Sequence, residues 1–440
     1  VKAAIGAAID AASSLTGKRF GLLVASSVVA TSAIVASAMT GAGGSGALAA
    51  LIGRSLAPDN APVAAAPAAD RSSVAAPPAP QGSSGSRAAG APASPAPPPP
   101  PGKPPSEPKE PPPPAAEAGP VKHVFVISLA SPGYEQSLGA QSQMPYLSGT
   151  LRPKGELLSN YTLLGEAVLP NQIAAISGQP PNSATSAGCS TYAEFSPTTK
   201  TDANGVVHGV GCVYSVETLT LGDQLSSSRL TWRAYVDGMA DETGAPANCV
   251  HPGTGESETA TAGGYAARQN PFVYFHTLLD LGDCSADDLP IDKLTADLRK
   301  ADKTPNYAFI APTPCDSGAT GQCAPGATEG PASADAFLAS WVPKILASPA
   351  YKAGGLLIVN FGAANPPSTE AGATPTDPLR TGALLVSPFL TPGSTDGAAY
   401  NPYSLLRSTE DLFGLDPLGL AAGAKAKSFA PAFLKEGGGD

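Results

Sequence analysis

HVFVISLASPG (His123 to Gly133) and GLLIVNFGAAN (Gly355 to Asn365) share one shape: an apolar run of strand length, then a tail of small residues. Runs this short and this continuous read as β-strands buried on both faces. Comparable runs occur at Leu230 to Val236, Tyr307 to Ala311 and Ala383 to Phe389. Between them the pattern predicts helices over Met144 to Pro153, Leu169 to Ile176, Thr218 to Ser227, Leu289 to Ala301, Ala332 to Ala347 and Ser404 to Phe413. Pro145, Pro170, Pro290, Pro343 and Pro402 fit helix starts or local kinks. Strands alternating with helices imply an α/β domain over residues 121–435, a mainly parallel sheet sandwiched by helices. In such a sheet the ligand crevice lies beyond the carboxyl ends of the strands. There the chain offers Ala130-Ser131-Pro132-Gly133 and Gly362-Ala363-Ala364-Asn365, which carry almost no chemistry.

The first quarter of the chain is of another kind. Residues 1–19 form a short N-terminus, and from Phe20 to Gly53 there is no charged residue. Phe20 to Met39 is about long enough to cross a bilayer. Lys18 and Arg19 before it predict an inside N-terminus. A retained single-pass anchor is the favoured reading; a cleaved signal, with Ala36-Ser37-Ala38 as the processing site, is the alternative. Either puts the rest outside the cytoplasm. Residues 57–120 are Ala, Pro, Ser and Gly with little charge, and include Pro97 to Pro101 and Pro111 to Pro114. Such a segment buries too little apolar surface to order itself and predicts a stiff, disordered spacer.

The net charge is −10, but only 14% of residues are charged. This dilute acidity excludes a general nucleic-acid role. Cys189, Cys212, Cys249, Cys284, Cys315 and Cys323 all follow the linker, and an even count in an exported domain reads as disulfides. Nearest-neighbour pairing is preferred among the 15 possible sets. Zinc is disfavoured, since no CxxC occurs and His123, His208, His251 and His276 lack ligand spacing.

The runs HVFVISL, MPYL, LPNQIAAISGQPPNSAT, TLGDQLSSSRLTWRAYVDGM, YAARQNPFVYFHTLLD and YSLLRSTEDLFGL go further. In order along residues 121–430 they resemble the bacterial phosphoesterase family of acid phosphatases and phospholipase C type enzymes, within the alkaline phosphatase superfamily. The resemblance implies metal-dependent hydrolysis of phosphate esters. It also implies a Glu-Asn pair after the first strand, a Ser or Thr nucleophile before the Leu-Pro-Asn run, an Asp-Glu pair after a later strand, and histidines in two further segments. Hard cations need such oxygen-rich ligands.

Against that pattern, the first pair falls on Ala130 and Ser131, the nucleophile on Val168, and the Asp-Glu pair on Gly362 and Ala363. Pro402 stands where the family often has histidine, and Cys315-Asp316-Ser317 keeps the cysteine without the histidine. The resemblance therefore implies a degenerate site with no catalytic residue and no metal. Glu166, Asn171, Asp237, Thr313, Asp316, Asn360 and Asn365, with Tyr134 and Glu135 at the rim, are the residual pocket candidates. Their ordinary reading is as loop and capping residues.

Three functions are compatible with these residues. The favoured one is a membrane-anchored pseudoenzyme that binds a cell-envelope protein, a wall polymer or a phosphorylated ligand, with no cofactor. An active phosphoric ester hydrolase with a rebuilt site would need a divalent metal, and a structural envelope protein would need neither.

Overall fold

A computed structural model describes residues 120–130, 132–258, 263–363 and 379–434. The expected N-terminus, membrane segment and most of the spacer, together with Ser131 and Asn365, lie outside the described residues. Among the described residues no helix is long and apolar enough to cross a membrane.

The strands are β1 (His123–Leu129), β2 (Glu156–Tyr161), β3 (Ser196–Pro197), β4 (Gly209–Val210), β5 (Trp232–Val236), β6 (Asp288–Pro290), β7 (Tyr307–Ala311), β8 (Gly355–Phe361), β9 (Ala383–Val386) and β10 (Thr395–Tyr400). Eight of them form one sheet in the order β10-β2-β9-β8-β1-β7-β5-β6. Every pairing in it is parallel except those of β9, which runs antiparallel to both β2 and β8. β3 and β4 make a separate antiparallel hairpin. The mainly parallel α/β architecture read from the sequence is the one found.

The alternation of β1 shows how the layers form. Val124 and Val126 enter one core with Leu169, Ile173, Leu405 and Leu406, while Phe125, Ile127 and Leu129 enter the other with Phe337, Leu338, Val342 and Ile345. Successive strand side chains point to opposite faces, so a strand buried at every position must be covered twice. The covering helices are α1 (Val168–Ser177), α2 (Leu221–Ser227), α3 (Asp292–Asp297), α4 (Pro331–Ala347), α5 (Pro349–Gly354) and α6 (Pro402–Phe413). Helix α1 ends on Gly178 at φ 69, where a Cβ would lie 2.3 Å from the Leu418 carbonyl oxygen. Only glycine fits that turn.

Three local expectations are corrected. The helix expected from Leu289 begins later, at Asp292, because residues 288–290 extend beside β5 as strand β6. The strand from Ala383 stops at Val386, before Ser387 and Pro388; Ser387 donates its hydroxyl to the Gly355 carbonyl, and Pro388 has no N–H for a ladder. Tyr146–Leu151 is a wider π-helical turn followed by a 3-10 turn at Arg152–Lys154. The backbone N–H groups of Tyr146 and Leu147 are held by the Asp335 carboxylate. Three disulfides join Cys189 to Cys212, Cys249 to Cys284 and Cys315 to Cys323, the nearest-neighbour set.

Candidate functional site

The carboxyl ends of β1 and β8 are tied together beyond their last ladder residues. Gly362 N–H donates to the Leu129 carbonyl and Ala363 N–H to the Ala130 carbonyl, each at 2.6 Å. Ala130 N–H in turn donates to the Ser317 carbonyl at 3.1 Å, on the turn after β7. The N-terminus of α1 closes over this junction. A Cβ built on Gly362 would lie 3.2 Å from Val168 Cγ1, 3.5 Å from the Leu129 carbonyl oxygen and 3.6 Å from Gln172 Cγ. Val168, Gly362 and the ends of β1 and β8 thus meet in space, and what they bring is an isopropyl group, methyl groups and backbone.

Asn171 fixes this arrangement. Its Oδ1 accepts the Leu164 N–H, and its Nδ2 donates to the carbonyls of Gly165, Ala167 and Gly362, all between 2.7 and 2.9 Å. Buried to 2% exposure, it is a brace between the loop before α1 and the end of β8. Beneath it, Gln172 donates to the Ser128 hydroxyl at 3.2 Å, and Ser128 is the register partner of Asn360.

The described residues of this junction do not fit a divalent cation. The carbonyls of Leu129 and Ala130 are already acceptors, and no carboxylate is contributed by Ala130, Val168, Gly362 or Ala363. The hard donors left over are the amide oxygens of Gln172 and Asn360, buried without a hydrogen-bond partner among the described residues. Two neutral amides do not replace the carboxylates that balance a divalent charge. The one grouping of side chains with metal-ligand closeness among the described residues, Cys249, Cys284 and Asp288, has both sulfurs in a disulfide.

The polar candidates separate into distinct places. Asp237, Thr313 and Asp316 meet just past β5 and β7. The Asp237 carboxylate takes backbone N–H bonds from Gly238 and Thr313, yet burial and the nearby Asp316 charge push it up to about 6. Asp316 N–H donates to the Thr313 hydroxyl, and the Ser333 hydroxyl donates to Asp316 Oδ1 at 2.9 Å. Glu166 and Glu135 are exposed. Pro402 opens α6, with Asn401 as its N-cap accepting the Ser404 N–H.

The histidines take other partners. His123 Nδ1 contacts the Pro305 carbonyl at the opposite end of β1, and His251 Nδ1 contacts the Pro252 carbonyl. The His208 carbonyl accepts the Thr198 hydroxyl. His276 sits between Glu194 and Asp280.

One residue at this end escaped the sequence reading. Arg380, just before β9, donates Nε–H to the Ser159 carbonyl at 2.7 Å and lays its guanidinium 3.7 Å from the centre of the Tyr134 ring. A lone arginine in a Pro- and Thr-rich stretch carries no sequence signal; only the sheet brings it beside the residue that follows β1.

The sequence profile of the phosphoesterase family matches residues 146–416. None of the curated proteins compared with the chain matches it. Among solved structures, the chain is similar to an alkaline phosphatase superfamily protein from Vibrio parahaemolyticus, at 12% identity and TM-score 0.41 over 67% of each chain. It is also similar to the lipoteichoic acid synthase LtaP from Listeria monocytogenes, at 10% identity and TM-score 0.41 over 72% of this chain and 76% of that one. A putative sulfatase from Bacteroides thetaiotaomicron is similar at 13% identity and TM-score 0.40, over 74% and 76%. With the family profile matched over residues 146–416, more than half of its length, the chain belongs to the phosphoesterase family.

Proposed function

We propose that the protein is a phosphoesterase-family pseudoenzyme, anchored through residues 20–53 with its domain outside the cytoplasm, that binds a ligand and does not hydrolyse it. The observation that carries this reading is the packing of Val168 against Gly362, where an ester hydrolase of this family needs a nucleophile beside a carboxylate. A valine has no nucleophilic atom, and the glycine leaves no ligand for the cation that would activate one. The partner is a cell-envelope protein, a wall polymer or a phosphorylated ligand, and no cofactor or nucleic acid is required. Cleavage after residue 38 would make the same domain secreted.

The test is phosphomonoester and phosphodiester turnover, with metal content, on the full chain. Alongside it goes a variant carrying Ala130→Glu, Gly362→Asp, Ala363→Glu and Val168→Ser. Turnover by the unsubstituted chain well above blank overturns the reading.

A second reading, an active hydrolase with a rebuilt site, is favoured by one observation: Asp237 is a perturbed carboxyl beside Asp316 at the crevice end of the sheet. It requires stoichiometric divalent metal after gentle purification, and loss of turnover in Asp237→Asn.

A further inference from the structure

At the amino ends of the central strands the surface is cationic, in a chain whose net charge is −10. Lys122 precedes β1, Lys300 and Lys303 lie between α3 and β7, Arg299 follows α3, Lys344 is in the last turn of α4, and Lys352 is in α5 just before β8. All six side chains are exposed, and none has an ion-pair partner among the described residues. Of the acids at this end, Asp297 is engaged by Arg233 and Tyr235 and Asp287 pairs with Arg233, while Asp302 is exposed.

The loops that carry these cations are fastened to one another. Lys122 N–H donates to the Gly354 carbonyl, Asn306 Nδ2 donates to the Lys122 carbonyl, and Thr231 N–H donates to Asn306 Oδ1.

Within this surface is an open cavity of 250 Å³, lined by Thr295, Leu298, Arg299, Lys344, Ala347 and Pro349 among others. Its lining is mostly apolar, with the two cations at its edge. Lys344 Nζ lies 4.0 Å from the centre of the half-buried Trp341 ring. Cations around an apolar depression, with an amphipathic tryptophan beside them, match the layered chemistry of a lipid interface: anionic headgroups above, acyl carbon below.

Chain direction points to the same occupant. Pro120, which follows the proline-rich segment directly in sequence, lies against Gly354 at this end of the sheet, opposite the crevice. We propose that this basic face rests on an anionic lipid leaflet, with Arg299 and Lys344 taking headgroup phosphates and the cavity between them taking the first acyl carbons. The domain then turns its crevice away from the membrane. This rests on the anchored reading above, since a tether makes docking intramolecular and lets a weak surface interaction fill.

The test is hydrogen exchange on the full chain mixed with vesicles of phosphatidylcholine alone or with about 30% phosphatidylglycerol. Slower exchange is expected over residues 295–303 and 344–354 on the anionic vesicles and not on the neutral ones, and it is reversed by high salt. Each cation removed weakens the docking about fivefold. Arg299→Glu with Lys344→Glu abolishes the protection, and Arg299→Gln with Lys344→Gln gives an intermediate loss with unchanged melting. Equal protection on both vesicle types, or none on either, overturns the proposal. Protection by soluble poly(glycerol phosphate) with none on vesicles also overturns it and assigns the face to an anionic polymer. Failure of the chain to float with neutral vesicles refutes membrane insertion of residues 20–39 alone, because the anionic arm reads the basic face separately.

Discussion

Val168 and Gly362 are packed so closely that a Cβ at 362 would sit 3.2 Å from Val168 Cγ1. That spacing is tighter than most Cβ contacts, so a methyl group at 362 requires the Val168 side chain to give by a few tenths of an ångström. Gly362→Ala is expected to cost about 1 kcal/mol. Val168→Ala should remove most of that cost, giving a coupling energy of about 0.5–1 kcal/mol in a double-mutant cycle by urea unfolding. Additive effects would mean that the two residues do not touch.

Asn171→Ala strips the Leu164 N–H of its acceptor and three carbonyls of a donor, all in a buried position. The expected loss is about 3 kcal/mol, since unsatisfied buried polar groups cost about 1–3 kcal/mol each and some will be reached by water. An effect below about 1 kcal/mol in denaturant titration would show that the brace is dispensable.

Asp237 holds its proton to about pH 6 in the folded chain, against an ordinary value of 3.8. Below 3.8 the folded and unfolded forms are both protonated and no penalty exists. Between 3.8 and 6 the folded form binds more protons, so stability falls as pH rises, and above 6 the penalty is constant. Asp237→Asn should flatten this part of the stability profile and gain about 1–2 kcal/mol at pH 7, discounted for partial exposure. In a carboxyl NMR titration, Asp316→Asn should move the Asp237 midpoint downward.

His276 behaves with the opposite sign. Partial burial disfavours its charge, but hydrogen bonds to Glu194 and Asp280 outweigh that and raise its pKa above 6.5. Its contribution to stability is complete below 6.5 and is lost as pH rises through the folded-state value. His276→Gln should lower stability at pH 5.5 by up to about 1 kcal/mol and hardly change it at pH 9. A pH-independent loss would assign the residue to packing alone.

The central sheet was legible because β1, β7 and β8 are mostly apolar, with continuous runs that point to burial on both faces. β2 and β10 were missed for the converse reason. ELLSNY is polar at three of its six positions, TDGAAY is polar or small at all but the last, and β10 is an edge strand with a single buried residue. The strand β6 is three residues long and begins on a buried aspartate, so it gives no hydrophobic signal. Asn171, read from the sequence only as a residual pocket candidate, is instead the brace between the loop before α1 and the end of β8. A single asparagine announces no particular set of four hydrogen bonds, because its partners lie up to 191 residues away. Arg380 and Tyr134 were separated by the same distance problem.

The central place of β1 sets the order in which the molecule can form. Its two neighbours, β7 and β8, are made about 180 and 230 residues after it. At about 5–20 residues per second, Val124 to Leu129 wait on the order of 10–45 s for their partners. During that interval a mostly apolar six-residue segment has both hydrogen-bonding edges open, the arrangement most prone to pairing with a foreign strand. Folding yield, more than final stability, should therefore depend on whatever shields this first strand while the rest of the chain is delivered.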